Sequence, residues 1–166
     1  GTLARLVAAP VARSSIVGAK AIYSFVLGAI SMAILIVASH FLMSASWGDP
    51  LAVAILVLSA VFAAMGLQSL VTTLAKTDEQ AAGYGAIVGV TLGMLGGTFF
   101  PLSQAPGLMA QLSFVAPHAW IMDGLGELSG GAGTLADVLP AIAALLLFGM
   151  ITGALAFVRS RSLVVA

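Results

Sequence analysis

Four stretches of the chain, residues 21–43, 51–75, 81–100 and 138–158, contain no Asp, Glu, Lys or Arg. Each is apolar over about twenty residues, the length that carries a helix across a hydrocarbon core at about 1.5 Å per residue. In lipid the backbone must pair with itself, and within one segment only a helix achieves that. Overall, 61% of the residues are hydrophobic and only 7% are charged, against about 25% charged in soluble proteins. The expected fold class is therefore all-α: one polytopic transmembrane domain over residues 1–166 with four membrane-spanning helices.

The third stretch carries Gly85, Gly89, Gly93 and Gly97 at every fourth position. An interior glycine costs a helix about 1 kcal/mol in water, whereas in lipid a stripe of small residues lets another helix approach closely. The spacing predicts a packing face. Pro101, just after Phe99 and Phe100, predicts the end of this helix, because the residue before a proline avoids helical geometry.

The connections follow from composition. Leu3, Leu6 and Val7 share one face of a short amphipathic helix that Pro10 interrupts, expected to lie along the membrane surface. Residues 44–50, SASWGDP, read as a turn with an interfacial tryptophan, Trp47. Residues 76–80, KTDEQ, leave room only for a tight turn between antiparallel helices. The segment 101–137 is too polar and too broken by Pro106, Pro117 and the GGAG tract to cross, yet too apolar for an open loop. Two short helices that dip back into the interface are expected there, near 106–115 and 118–128. Thr134 or Asp137 can cap the last helix, with Pro140 in its first turn.

Charge placement orients this zigzag. If the chain starts inside, all six basic residues, Arg5, Arg13, Lys20, Lys76, Arg159 and Arg161, fall in inner segments and none in outer ones, as the positive-inside rule requires. Both ends of the segment are then cytoplasmic, in the plasma membrane.

The same distribution limits the chemistry. No charged residue lies within a span, which disfavours an ion pump or a proton-coupled transporter. The chain has no cysteine, hence no thiolate metal site. His118 with Asp123 or Glu127 offers too few donors for a metal centre, and Ser113 with His118 lacks the surroundings of a hydrolase pair. No GxxxxGK[ST] loop is present, so energy from ATP would have to come from another subunit. Gly, Met and Phe side chains along the third span suit an apolar or amphipathic cargo, with Met94, Phe99 and Phe100 as candidate contacts. The alternative is an assembly or anchoring protein that dimerises through its glycine stripe without transport; an intramembrane enzyme using His118 ranks below both.

Taken together, TLARLVAAPVARSSIVGAK before the first span, the KTDEQA connection, GGTFFPLSQAP after the striped helix and PHAW at 117–120 resemble the ABC-2 type permease family. Its members are the membrane subunits of type-2 ABC exporters related to daunorubicin-resistance permeases. The family has six spans, so the resemblance implies that this chain corresponds to the last four, without the two N-terminal ones. It implies that residues 2–13, with Arg5, Leu6, Pro10 and Arg13, form a cytoplasmic coupling helix docking on an ABC ATP-binding subunit. That subunit would hold ATP and Mg, while this chain would bind no cofactor. A second permease copy or homologue and the lipid bilayer are the other implied partners, with no nucleic acid. The striped helix would lie near the pathway, and Pro101, Pro117, His118 and Trp120 would mark the outer re-entrant segment. Ala4 stands where members commonly carry an acidic residue, so a salt bridge to Arg5 or to the partner is absent.

Overall fold

The computed structural model describes residues 13–100 and 107–162, with side chains for 21–100, 107–108 and 110–160. The described residues form six helices: α1 (Arg13–Met43), α2 (Pro50–Thr72), α3 (Asp78–Leu95), α4 (Gly107–Ser113), α5 (Pro117–Leu128) and α6 (Leu135–Ser162). There is no strand among the described residues beyond a single bridge between Trp47 and Ser129. Arg5, Leu6 and Pro10 of the expected coupling helix, and Pro101, lie outside the described residues. Arg13 opens α1.

Two loops are stitched together at one end of the bundle. Gly48 N–H donates to Leu128 O (2.9 Å), Asp49 N–H to Gly133 O (3.0 Å) and Gly130 N–H to Ser46 O (3.1 Å). Since these loops lead into α2 and α6, both helices start at the same end and run in the same direction. Gly124 of α5 meets Leu56 and Ala141 near their starts, and farther along Gly66 meets Gly149. Their shared seam, built from Ala52, Val53, Leu56, Val57 and Ala63 against Val138, Ala141, Ile142 and Leu145, is the core of the chain.

The remaining helices pack around this pair. Gly28 of α1 meets Val61, and Gly85 of α3 meets Gln68, so α1 and α3 each run antiparallel to α2. The Lys76 turn and Arg159 consequently share the end opposite α5. The α1 span has none of its residues buried within the chain, against 44% for α2; it is a peripheral helix.

Helix ends obey local rules. Asp49 caps α2, accepting from Leu51 N–H at 2.9 Å, with Pro50 in the first turn. Thr77 caps α3, its hydroxyl accepting from Gln80 N–H (3.2 Å), while Gln80 Oε1 reaches back to Lys76 N–H (3.0 Å). The KTDEQ turn is therefore a near relative of the capping box. Thr134 N–H and hydroxyl both donate to Asp137 Oδ2, at 2.8 and 2.7 Å, at the start of α6.

Several expected boundaries move. Among the described residues, three helices are long and apolar enough to cross a membrane: Ala21–Met43, Pro50–Thr72 and Leu135–Ser160. The third expected span, 81–100, is occupied by the 18-residue α3, which ends at Leu95. At about 1.5 Å per residue it is about 27 Å long, a little short of the hydrocarbon core. Pro101 does not end it. Gly97 has φ +80°, Thr98 N–H donates to Gly93 O (3.0 Å) and Gly97 N–H to Met94 O (3.4 Å), which is the Schellman stop signal. Gly97 is thus a turn residue and not a member of the helical stripe. The second span ends at Thr72 rather than 75, and Pro140 lies inside α6 rather than in its first turn.

A cavity walled by glycines as the candidate functional site

Between α1 and α3, over α2, lies a cavity of about 720 Å³. Small residues form part of its wall, Ser24, Gly28 and Ser31 on one face of α1, Gly85 and Gly89 on α3, and Ala60 and Ala64 on α2, beside larger apolar side chains such as Val61, Leu67 and Ile121. A Cβ on Gly89 would meet nothing within 4 Å, whereas one on Gly85 would lie 2.8 Å from Gln68 Oε1. Among the described residues the stripe therefore makes no continuous seam with a single neighbouring helix. Gly85 makes room for Gln68, Gly89 faces the cavity, and Gly93 makes ordinary contact with Phe99, Thr98 and His118 at 3.7–3.8 Å.

The cavity is closed at one end by α5. Pro117 starts this helix, and its buried residues include Ala119, Gly124 and Leu128. Gly124 lets α5 sink onto Leu56, two turns into α2: a Cβ there would be 2.8 Å from Leu56 Cδ2. Gly96, just past the end of α3, abuts Cβ of His118 and the backbone N of Ala119. The end of α3 and the start of α5 therefore touch with no side chain between them.

His118 sits at this junction and lines the cavity. Its Nδ1 is the one buried side-chain nitrogen or oxygen without a hydrogen-bond partner among the described residues. Burial pushes its pKa below the ordinary value, so the ring is neutral at pH 7. Trp120, two residues on, donates from Nε1 to Phe114 O (2.8 Å), its ring edge-on to Phe114 at 4.8 Å, and so ties α5 to the residue that follows α4.

Of the residues expected to line a pathway, Met94, Phe99 and Phe100 are exposed and outside the cavity wall. The methionines that do line it are Met32, Met65 and Met122, on helices with no glycine run to draw attention to them. Polar groups at the end of α2 are satisfied locally, Ser69 by Met65 O, Thr72 by Ser69 O and Thr73 by Leu70 O, all at 2.7 Å.

Ser113 donates to Ala110 O at 2.7 Å and makes no pair with His118. No group of three or more His, Cys, Asp or Glu with metal-binding geometry occurs among the described residues. His40 bonds through Nδ1 to Ala45 O (2.8 Å), closing the end of α1.

The close approach that the stripe predicts is found elsewhere, between α2 and α6, where a Cβ on Gly149 would lie 2.6 Å from the Phe62 ring and 3.1 Å from Ala63 Cα. Gly153, four residues beyond Gly149, takes no part in it, since a Cβ there would meet nothing within 4 Å.

Comparison with known proteins agrees with this architecture. The chain is 30% identical over 152 residues to the linearmycin resistance permease protein LnrN of Bacillus subtilis (strain 168). The match covers 92% of this chain and 40% of that protein, so the chain spans less than half the relative's length. No solved structure matches. A model of the ABC-2 type transporter family matches residues 1–128, and with its all-α, membrane-spanning helices the chain belongs to that family of multi-pass membrane permeases.

Proposed function

We propose that the chain is the membrane subunit of an ATP-driven exporter that moves a hydrophobic or amphipathic molecule out of the cytoplasm. A separate ABC subunit binds ATP and Mg and supplies the energy. The reading is supported above all by the uncharged cavity, covered at one end by α5, in a chain of a transporter family. An ion would find no countercharge there to offset its lost hydration.

Lys76 and Arg159 lie at the end opposite α5, and the remaining cations belong to segments that the alternation of helices carries to the same end. That end faces the cytoplasm under the positive-inside rule. Residues 2–13 dock on the ATP-binding subunit, and α3 completes a fourth crossing with slight local thinning of the bilayer. Two permease halves pair around the transport route. The resistance function in the relative's name fits export of an amphipathic compound.

The test is co-purification of the full-length protein with the ABC ATP-binding subunit co-expressed from the same genome. Arg5→Glu combined with Leu6→Asp should abolish it while leaving the protein in the membrane. Undiminished co-purification of this double variant would sink the docking assignment, and surface labelling of position 76 on intact cells would sink the orientation.

A further inference from the structure

His118 holds its ring where one nitrogen is cut off. Its Nδ1 is sealed from solvent and bonds to nothing, so no water and no group approaching from outside reaches it while the helices stand as they do. The ring sits where the end of α3 meets the start of α5. There the His118 Cβ abuts Gly96, and a Cβ on Gly96 would stand 2.7 Å from Ala119 N; Ala116 and Ala119 on either side are fully buried.

A neutral imidazole is compatible with that seat, because its one proton can stay on the other nitrogen. An imidazolium carries a proton on each. The proton on Nδ1 would then be a charged donor with no acceptor, a far costlier arrangement than an unpaired neutral nitrogen. In keeping with this, burial holds the pKa of the ring below its ordinary value.

No countercharge offsets that cost. The residues against the ring and its Cβ, Gly93, Gly96, Thr98 and Ala119, do not titrate. On its own helix, Asp123 and Glu127 are exposed and lie about 140° and 180° round the axis from His118. Helices α2 and α4 contain no Asp, Glu, Lys or Arg, and α3 has Asp78, Glu79 and Tyr84 only in its first half, away from the junction. Asp49, Asp137 and His40, at the neighbouring helix ends, are bonded to Leu51 N, Thr134 and Ala45 O.

We propose that the junction of α3 and α5 is a pH-sensitive latch. Protonation of His118 drives the ring from its seat and parts the end of α3 from the start of α5, while the seam of α2 and α6 stays closed. Since α5 closes one end of the cavity, the latch governs that closure. The device does not depend on the exporter reading.

Once released, the ring has its ordinary pKa of about 6.5. Proton binding to the released state alone multiplies the opening equilibrium by about 1 at pH 7.5 and by about 11 at pH 5.5. The test is hydrogen-exchange mass spectrometry of the full-length protein in lipid nanodiscs at these two pH values, with each rate divided by the intrinsic rate at that pH. Peptides covering 93–99 and 116–121 should lose up to about tenfold in protection on acidification, while those covering 52–63 and 138–145 keep theirs. His118→Gln and His118→Phe, neither of which titrates, should each hold the protection of the junction constant with pH. An equal loss in the unaltered protein and in whichever of the two variants folds would overturn the latch, as would a loss shared by the α2 and α6 peptides. Unchanged protection of the junction at pH 5.5 would overturn it too, since the ring then takes up its proton in place. A half-turn that exchanges Nδ1 with Cδ2 would do this, because Cδ2 and Thr98 Oγ1 both lie 3.8 Å from where a Gly93 Cβ would stand.

Discussion

Gly66 and Gly149 meet backbone to backbone across α2 and α6, with a Cβ on Gly66 having to stand 2.5 Å from the Gly149 carbonyl oxygen. The Thr152 hydroxyl and the Phe62 ring stand beside this contact, but backbone atoms lie within 3.1 Å of either added Cβ, so part of the cost of added bulk falls on the helix axes themselves. Gly66→Leu or Gly149→Leu should destabilise the protein by about 3 kcal/mol, read as a lower thermal midpoint in detergent. Gly153→Leu, where nothing lies within 4 Å, should stay within about 0.5 kcal/mol.

Two members of the glycine series behave oppositely. Gly97 holds φ +80°, so Gly97→Ala should cost about 1–2 kcal/mol. Amide hydrogen exchange at Gly97 and Thr98 should accelerate as the Schellman turn opens. Gly89→Ala should be neutral or slightly stabilising, since the helix gains propensity and the new methyl touches nothing.

Protonation of His118 links stability to pH. Its folded-state pKa lies below the ordinary 6.5 because of burial, so the unfolded chain takes up a proton before the folded one does. Above about pH 6.5 both states hold a neutral ring and the contribution is complete. As pH falls it is progressively lost, until the folded ring protonates too. The thermal midpoint should therefore drop on acidification from about pH 7, and His118→Gln should flatten that part of the profile. Glu79 acts in the same direction, but only below its own ordinary value of 4.5.

Removing the cap of α3 tests the turn that joins it to α2. Thr77→Ala should cost about 1 kcal/mol. The Glu79 carboxyl is held below its usual range first by its own backbone N–H and then by Thr77. It should titrate closer to the ordinary value in the variant, as followed by NMR of its side-chain carbon.

The helical, membrane-spanning class was legible because uncharged runs of this length have almost no other solution, and the first expected span lies within α1. The short helix expected near 118–128 is present as α5, which begins one residue earlier, at Pro117. The role of the glycines was not legible. Spacing of four marks a face, but which face meets which is decided by tertiary contacts, and the tight seam uses Gly66 and Gly149 instead. Nor does spacing distinguish Gly93, inside the helix, from Gly97, whose positive φ ends it four residues before Pro101. His118 was visible as an unusual residue in the expected outer segment. That its Nδ1 is buried without a partner, and that its Cβ stands against Gly96, 22 positions away, follow from tertiary packing that no local pattern encodes.

The three backbone bonds joining residues 46–49 to 128–133 divide the molecule mechanically. They clamp the hairpin of α1 and α2 to that of α5 and α6, so these four helices respond to force as one block. α3 is tethered by the Lys76 turn at one end and by the Gly96–Gly97 bend at the other. Whatever widens or empties the space beside it will be felt first as a swing of that one helix against a stationary frame.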